Sequence, residues 1–124
     1  MTKMKLKVLP YELTVCKVAA PEEIDMKGEL FFIGKTDGEV SLVCETAAAP
    51  EKTLERSDGW RGMRVEGTLD FSLVGVLAGL TAALAERGIP VFAVSTYDTD
   101  YLLVKVDQLE NAAAALTAAG YAFC

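Results

Sequence analysis

The clearest pattern in the chain lies in its second half. Leu73, Val76, Leu77, Leu80 and Leu84 recur at three- and four-residue spacing, which predicts a helix with one apolar face. Ser72 is its expected N-cap, and Gly88 with Pro90 just beyond is its stop signal. Residues 63–70 (MRVEGTLD) predict a strand before this helix. Residues 89–96 (IPVFAVST) and 101–106 (YLLVKV) predict a hairpin after it, turning through Tyr97, Asp98, Thr99 and Asp100. Asp107 and Glu110 have capping-box spacing ahead of a second apolar face, Leu109, Ala112, Ala113 and Leu116, which Gly120 closes. Residues 121–123 add a last short strand. The order β-α-β-β-α-β closes most economically as a four-stranded antiparallel sheet with both helices on one face.

The first half alternates in strand fashion instead. Residues 5–9 and 12–18 predict two strands flanking Pro10 and Tyr11. Residues 29–34 (ELFFIG) and 39–45 (EVSLVCE) predict a hairpin through Lys35, Thr36, Asp37 and Gly38, whose Asp-Gly step suits a tight turn. Residues 21–25 offer one helical turn and no more. Residues 46–59, with AAAP followed by charged residues, read as a connector, so the chain divides into 1–59 and 60–124. FFIGKTDGEVSLV resembles VFAVSTYDTDYLLV sixty positions later, with Phe32 over Phe92 and Thr36 over Thr96. One residue inserted in the turn keeps Leu42 and Val43 over Leu103 and Val104. Two unrelated hairpins also share apolar strands and polar turns, so chance similarity stands beside the repeat.

Length and composition narrow these readings. A unit of about 60 residues buries only roughly 60% of its unfolded surface, so two halves of a 124-residue chain need each other. The chain is 52% hydrophobic with a mean hydropathy of +0.28, which supports a well-buried core. The net charge of -6, without a basic stripe, disfavours nucleic acid and anionic membrane surfaces. The start, MTKMKLKVLP, does not read as an export signal, because Lys5, Lys7 and Pro10 interrupt it. The uncharged run 71–85 is shorter than the roughly 20 residues of a membrane span. Cys16, Cys44 and Cys124 are odd in number and lack CxxC spacing, and the chain has no histidine. A zinc site is therefore not expected, and reduced thiols in the cytoplasm are.

Two places could carry chemistry. The first N–H groups of a helix have no intrahelical partner and suit a carboxylate, and Gly75 would let a ligand approach the start of the first helix. Gly75 could equally serve close helix–sheet packing, with Ser72 only a cap. The turn Ser95, Thr96, Tyr97, Asp98, Thr99, Asp100 gathers hydroxyls, a phenol and two carboxylates, which could hold an ammonium or guanidinium. It could equally be a solvated turn. No histidine, lysine or cysteine stands beside these carboxylates as an acid–base partner. Cys16 and Cys44 read as small hydrophobes in strands, and Trp60 as a core or seam residue.

The segment LDFSLVGVLAGLTAALAERGIPVFAVSTYDTDYLLVKVDQLENAAAAL, within residues 60–123, resembles the ligand-binding part of tandem ACT-domain proteins. It is similar to the CASTOR-type amino-acid sensors and to the regulatory ACT domains of aspartate kinases. VGVL followed by AVSTYDTDYLLV carries the likeness, supported earlier by KVLPYELTVCKV and ELFFIGKTDGEVSLVC. The resemblance implies an α+β fold of two ferredoxin-like (ACT-type, βαββαβ) units with antiparallel sheets and helices on one face. The helices of the first unit are abbreviated. It also implies an amino acid bound where the first strand-to-helix loop of one unit meets an adjacent unit. Leu73, Val74, Gly75 and Val76 would then offer backbone groups to an α-carboxylate. Ser95, Thr96, Asp98, Thr99 and Asp100 would face the amino group or side chain.

A cytoplasmic, homodimeric regulatory module is thus expected, with a small-molecule ligand, no cofactor and no metal. A regulated protein would be its partner. The two aspartates lean towards a cationic amino acid. An assembly or dimerisation module without a ligand is the alternative. Catalysis ranks last, because the chain has no phosphate loop of the GxxxxGK[ST] kind and no nucleophile–base pair.

Overall fold

The computed structural model describes residues 4–67 and 74–124. Seven strands and two helices follow in the order β1 (Lys5–Val18), β2 (Phe31–Lys35), β3 (Val40–Glu45), β4 (Glu55–Val65), α1 (Val76–Ala85), β5 (Phe92–Ser95), β6 (Asp100–Lys105), α2 (Leu109–Ala118) and β7 (Ala122–Phe123). Two compact units result. The larger comprises Met1–Pro10 with Arg61–Cys124, and the smaller is Tyr11–Trp60. The linear division expected at 59/60 falls inside β4.

In the larger unit the strand order is β7-β1-β4-β6-β5, with β5 and β6 antiparallel. The βαββαβ order is present, but β1 joins the four strands expected of it. The first residues of β1 lie between β7 and β4, and β7 pairs parallel with β1 at Lys5↔Ala122 and Leu6↔Phe123. Met63 and Val65 of β4 and Leu102 and Val104 of β6 alternate onto one sheet face. Leu80, Ala83 and Leu84 of α1 and Ala112, Ala115 and Leu116 of α2 fill the same core, so both helices cover that face. Full burial of each leucine contributes on the order of 2 kcal/mol.

Helix ends depart from expectation at their starts and agree at their stops. Helix α1 begins at Val76, with Gly75 as N-cap; the Ser72 cap lies outside the described residues. Helix α2 has no capping box. Asp107 sits within a 3-10 turn, Val106–Gln108, that runs straight into the helix. The Leu109 amide is already bonded to the Val106 carbonyl, which leaves no break for a capping side chain to fill. The helices stop at Gly88 and Gly120, with Ile89 N–H bonded to Leu84 O and Tyr121 N–H to Leu116 O, both at 3.1 Å. Pro90 keeps Ile89 and Val91 out of the ladder and shortens the expected strand 89–96 to β5, although Ile89 remains buried.

In the smaller unit β2-β3-β1-β4 are neighbours. Strand β1 is one continuous strand rather than two broken at Pro10. Its pairing with β7 ends at Leu6 and its pairing with β3 begins at Leu13, so on that flank the missing proline amide costs no ladder bond. Strand β4 runs antiparallel to β1, with Leu54 N–H on Lys17 O at 2.7 Å and Glu66 N–H on Lys5 O at 2.9 Å. The expected connector 46–59 is therefore partly strand, from Glu55 onward. Its polar residues are partnered rather than loose: Arg56 bridges Asp58 at 3.0 Å, and Asp58 accepts 2.6 Å from the hydroxyl of buried Thr14. Cys16, Val18, Val40, Leu42 and Cys44 form this unit's core. Its helical structure is limited to two 3-10 turns, Pro21–Glu23 and Thr46–Ala48, among the described residues.

The two hairpins repeat one another in detail. Phe32↔Val43 and Lys35↔Val40 in β2–β3 correspond to Phe92↔Leu103 and Ser95↔Asp100 in β5–β6, at a constant offset of sixty residues. Thr36 N–H bonds Glu39 O at 3.0 Å, and Thr96 N–H bonds Thr99 O at 2.9 Å. The 3-10 turns Thr46–Ala48 and Val106–Gln108 keep the offset. No inserted residue is needed: Leu42 and Val43 lie over Leu102 and Leu103.

Candidate functional site

Gly75 has φ +80° and is the N-cap of α1, without a side-chain capping bond. The first intrahelical hydrogen bond runs from Gly79 N–H to Gly75 O at 2.9 Å, so the amides of Val76, Leu77 and Ala78 precede it. Val74 is 94% exposed, Gly75 is exposed, and Val76 is half-buried against the core. A Cβ on Gly75 would meet nothing within 4 Å, so its left-handed backbone, not crowding, calls for glycine. Close packing of Gly75 against the sheet is thereby excluded. Leu73 lies outside the described residues.

The polar turn splits into groups with different employment. The Ser95 hydroxyl donates to Asp100 Oδ1 at 2.6 Å, which orients the half-buried carboxylate across β5 and β6. The exposed Thr96 donates its hydroxyl to Thr99 O at 3.2 Å and accepts from Thr99 N–H at 3.4 Å, closing the turn. Asp98 is exposed. Thr99 points inward, and its hydroxyl donates to Val65 O at 2.7 Å. Sequence reasoning placed Thr99 among groups facing a ligand and did not anticipate this bond, since its acceptor is a backbone carbonyl thirty-four positions away. Beside Val65, Arg64 and Glu66 form a partly buried ion pair at 3.2 Å.

Elsewhere, burial raises the Cys16 thiol above its ordinary range. Burial, and secondarily the neighbouring Cys16, pushes Cys44 up to about 11, which suits small hydrophobes and not nucleophiles. Trp60 Nε1 donates to Ser57 Oγ at 3.0 Å. Among the described residues no group of three or more His, Cys, Asp or Glu is placed to hold a metal. No described helix is long and apolar enough to cross a membrane.

Residues 55–118 match the ACT domain. The chain belongs to the ACT domain family. This ACT protein is 30% identical to a structurally solved Agobacterium tumefaciens protein, Atu0741, covering 100% of this chain and 94% of that one with a TM-score of 0.87. A Vibrio cholerae protein, VC0802, described as a possible transport protein, is 21% identical with a TM-score of 0.73, covering 93% of this chain and 88% of its own. The ACT fold is also shared with the aspartate kinase of Clostridium acetobutylicum, described as an allosteric enzyme. There 95% of this chain overlays 33% of the kinase at 15% identity and a TM-score of 0.61. No functionally curated protein matches the sequence.

Proposed function

We propose that this ACT protein is a regulatory sensor module that binds a small molecule, an amino acid by class, in the manner of a CASTOR-type sensor. The α-carboxylate sits at the amides that open α1 beside Val74, Gly75 and Val76. The amino group or side chain faces Ser95, Thr96, Asp98 and Asp100. The observation that carries the reading is the glycine-capped start of α1, where, among the described residues, backbone amides and the positive end of the helix dipole meet no capping side chain. Asp98 and Asp100 favour a cationic amino acid. The three free thiols fit the cytoplasm, and the bound state is passed to a partner protein.

Thermal shift against the twenty amino acids at millimolar concentration tests this. A ligand at a hundred times its Kd adds about 2.7 kcal/mol, which is of the order of 10 °C in Tm for a chain this size. Asp98→Ala and Asp100→Ala should each weaken the response to a cationic ligand. No shift with any of the twenty overturns the reading.

A second reading is an assembly module without a ligand. It is favoured by β5, which among the described strands pairs only with β6 and so leaves one edge open to a second copy. A homodimer in sedimentation that ignores every amino acid supports it.

A further inference from the structure

Thr99 is 7% exposed, and its 2.7 Å hydrogen bond to Val65 joins the β5–β6 turn to the last residue of β4. The repeated hairpin provides an internal control for that contact. Turn 36–39 is closed by the same backbone bond and by the same threonine hydroxyl, Thr36 Oγ1, yet its fourth residue is the exposed Glu39. A threonine at the fourth place is therefore not needed to close such a turn. What it adds is the tie to β4. Val65 is where β4 ends and the chain sets out towards Gly75 and α1. The same strand end carries the Arg64–Glu66 pair, with Tyr101 of β6 beside Arg64.

We propose that Thr99 is a positioning residue. Its hydroxyl holds the end of β4 to the β5–β6 turn, and so fixes how the amides opening α1 stand relative to the polar groups of that turn. Its value for recognition rests on the ligand reading above; the mechanical tie does not.

Amide hydrogen exchange on the full chain, with Thr99→Val, Thr99→Ala and Thr99→Ser, tests the tie. Two amides bonded on either side of the strand-to-helix segment report on it: Glu66, on Lys5 O, and Gly79, on Gly75 O. Without the hydroxyl both should exchange about tenfold faster, in Thr99→Val and Thr99→Ala alike, while Thr99→Ser stays near wild type. The Thr36 amide should be unchanged. Uniform acceleration that includes the core amides of Leu80 and Leu116 would mean general destabilisation, and it overturns the proposal, as does no change at Glu66 and Gly79. If neither hydroxyl-free variant folds, the hydroxyl serves the whole fold and the positioning role falls.

Thermal shift of the same variants with the twenty amino acids adds the functional arm. An amino acid that stabilises the wild type should lose about tenfold in affinity with Thr99→Ala and keep it with Thr99→Ser. If none stabilises the wild type, the ligand reading fails while exchange still decides the tie.

Discussion

At the scale of single residues, two glycines of α1 are held by different physics, and substitution separates them. Gly75 has open space around a hypothetical Cβ but a left-handed backbone, so Gly75→Ala should cost about 1 kcal/mol of backbone strain. Gly79 has ordinary helical surroundings, yet a Cβ there would come within 2.8 Å of Tyr121 Oη. Alanine normally gains about 1 kcal/mol over glycine inside a helix. Here the Tyr121 ring is only 7% exposed, so its hydroxyl has little room to shift and overpacking of about 1–3 kcal/mol should outweigh that gain. Urea denaturation should show Gly79→Ala destabilised, with most of the loss recovered in Gly79→Ala/Tyr121→Phe. A double variant as weak as the single one contradicts the clash.

Cys44 gives a pH dependence at the same scale. Burial raises its folded thiol from 9.0 to about 11, so on alkaline titration the unfolded chain releases its proton first. The contribution of that thiol is therefore complete below pH 9 and is lost as pH climbs towards 11. The urea midpoint should fall over that window, and fall less in Cys44→Ala. A thiol reagent at pH 8 should titrate Cys124 alone in the folded protein, since Cys16 and Cys44 are buried.

At the scale of elements, the paired hairpins allow an exchange of turn chemistry without change of scaffold. Tyr97→Asp/Asp98→Gly converts the second turn to the Asp-Gly of the first. Because register and closing bonds are already common to both, stability should move by no more than about 1 kcal/mol. A ligand response that depends on Asp98 should disappear, while circular dichroism stays native. The elements themselves were legible where periodicity was strong, as in α1, α2 and both hairpins. They were misread where one residue argued against its surroundings. Pro10 suggests a break in β1 because its tolerance depends on which flank of the strand is paired, and sequence does not state that. Glu55, Arg56 and Asp58 look like loop because they are charged, and the partner that holds Asp58, Thr14, arrives from far along the chain. For the same reason the bond from the Thr99 hydroxyl to Val65 O was not legible in the sequence. The repeat itself was legible, but its register was not: one residue of slip changes little in hydrophobicity and every pairing in the ladder.

At the scale of the molecule, two separate cores imply two stabilities. Among the described residues the larger unit packs thirteen buried residues into its core cluster and the smaller five, so the smaller should open first. Hydrogen exchange should find the β3 amides of Leu42 and Cys44 less protected than those of Leu80 and Leu116. Equal protection throughout would mean that the chain unfolds as one cooperative body. The hairpin repeat has a further consequence, for the chain before it is folded. Two segments of equal length, equal register and similar apolar strands are alternative partners for one another in the collapsed state, and for the equivalent segment of a neighbouring molecule. Charge tells them apart at the strand ends: Val40 against Asp100 at the start of β3 and β6, and Glu45 against Lys105 at their ends. Glu45 binds the amides of Glu29 and Leu30 ahead of β2, a contact that a lysine cannot make. The charges at these strand ends thus act as address labels, keeping each hairpin out of the other's place while the chain collapses.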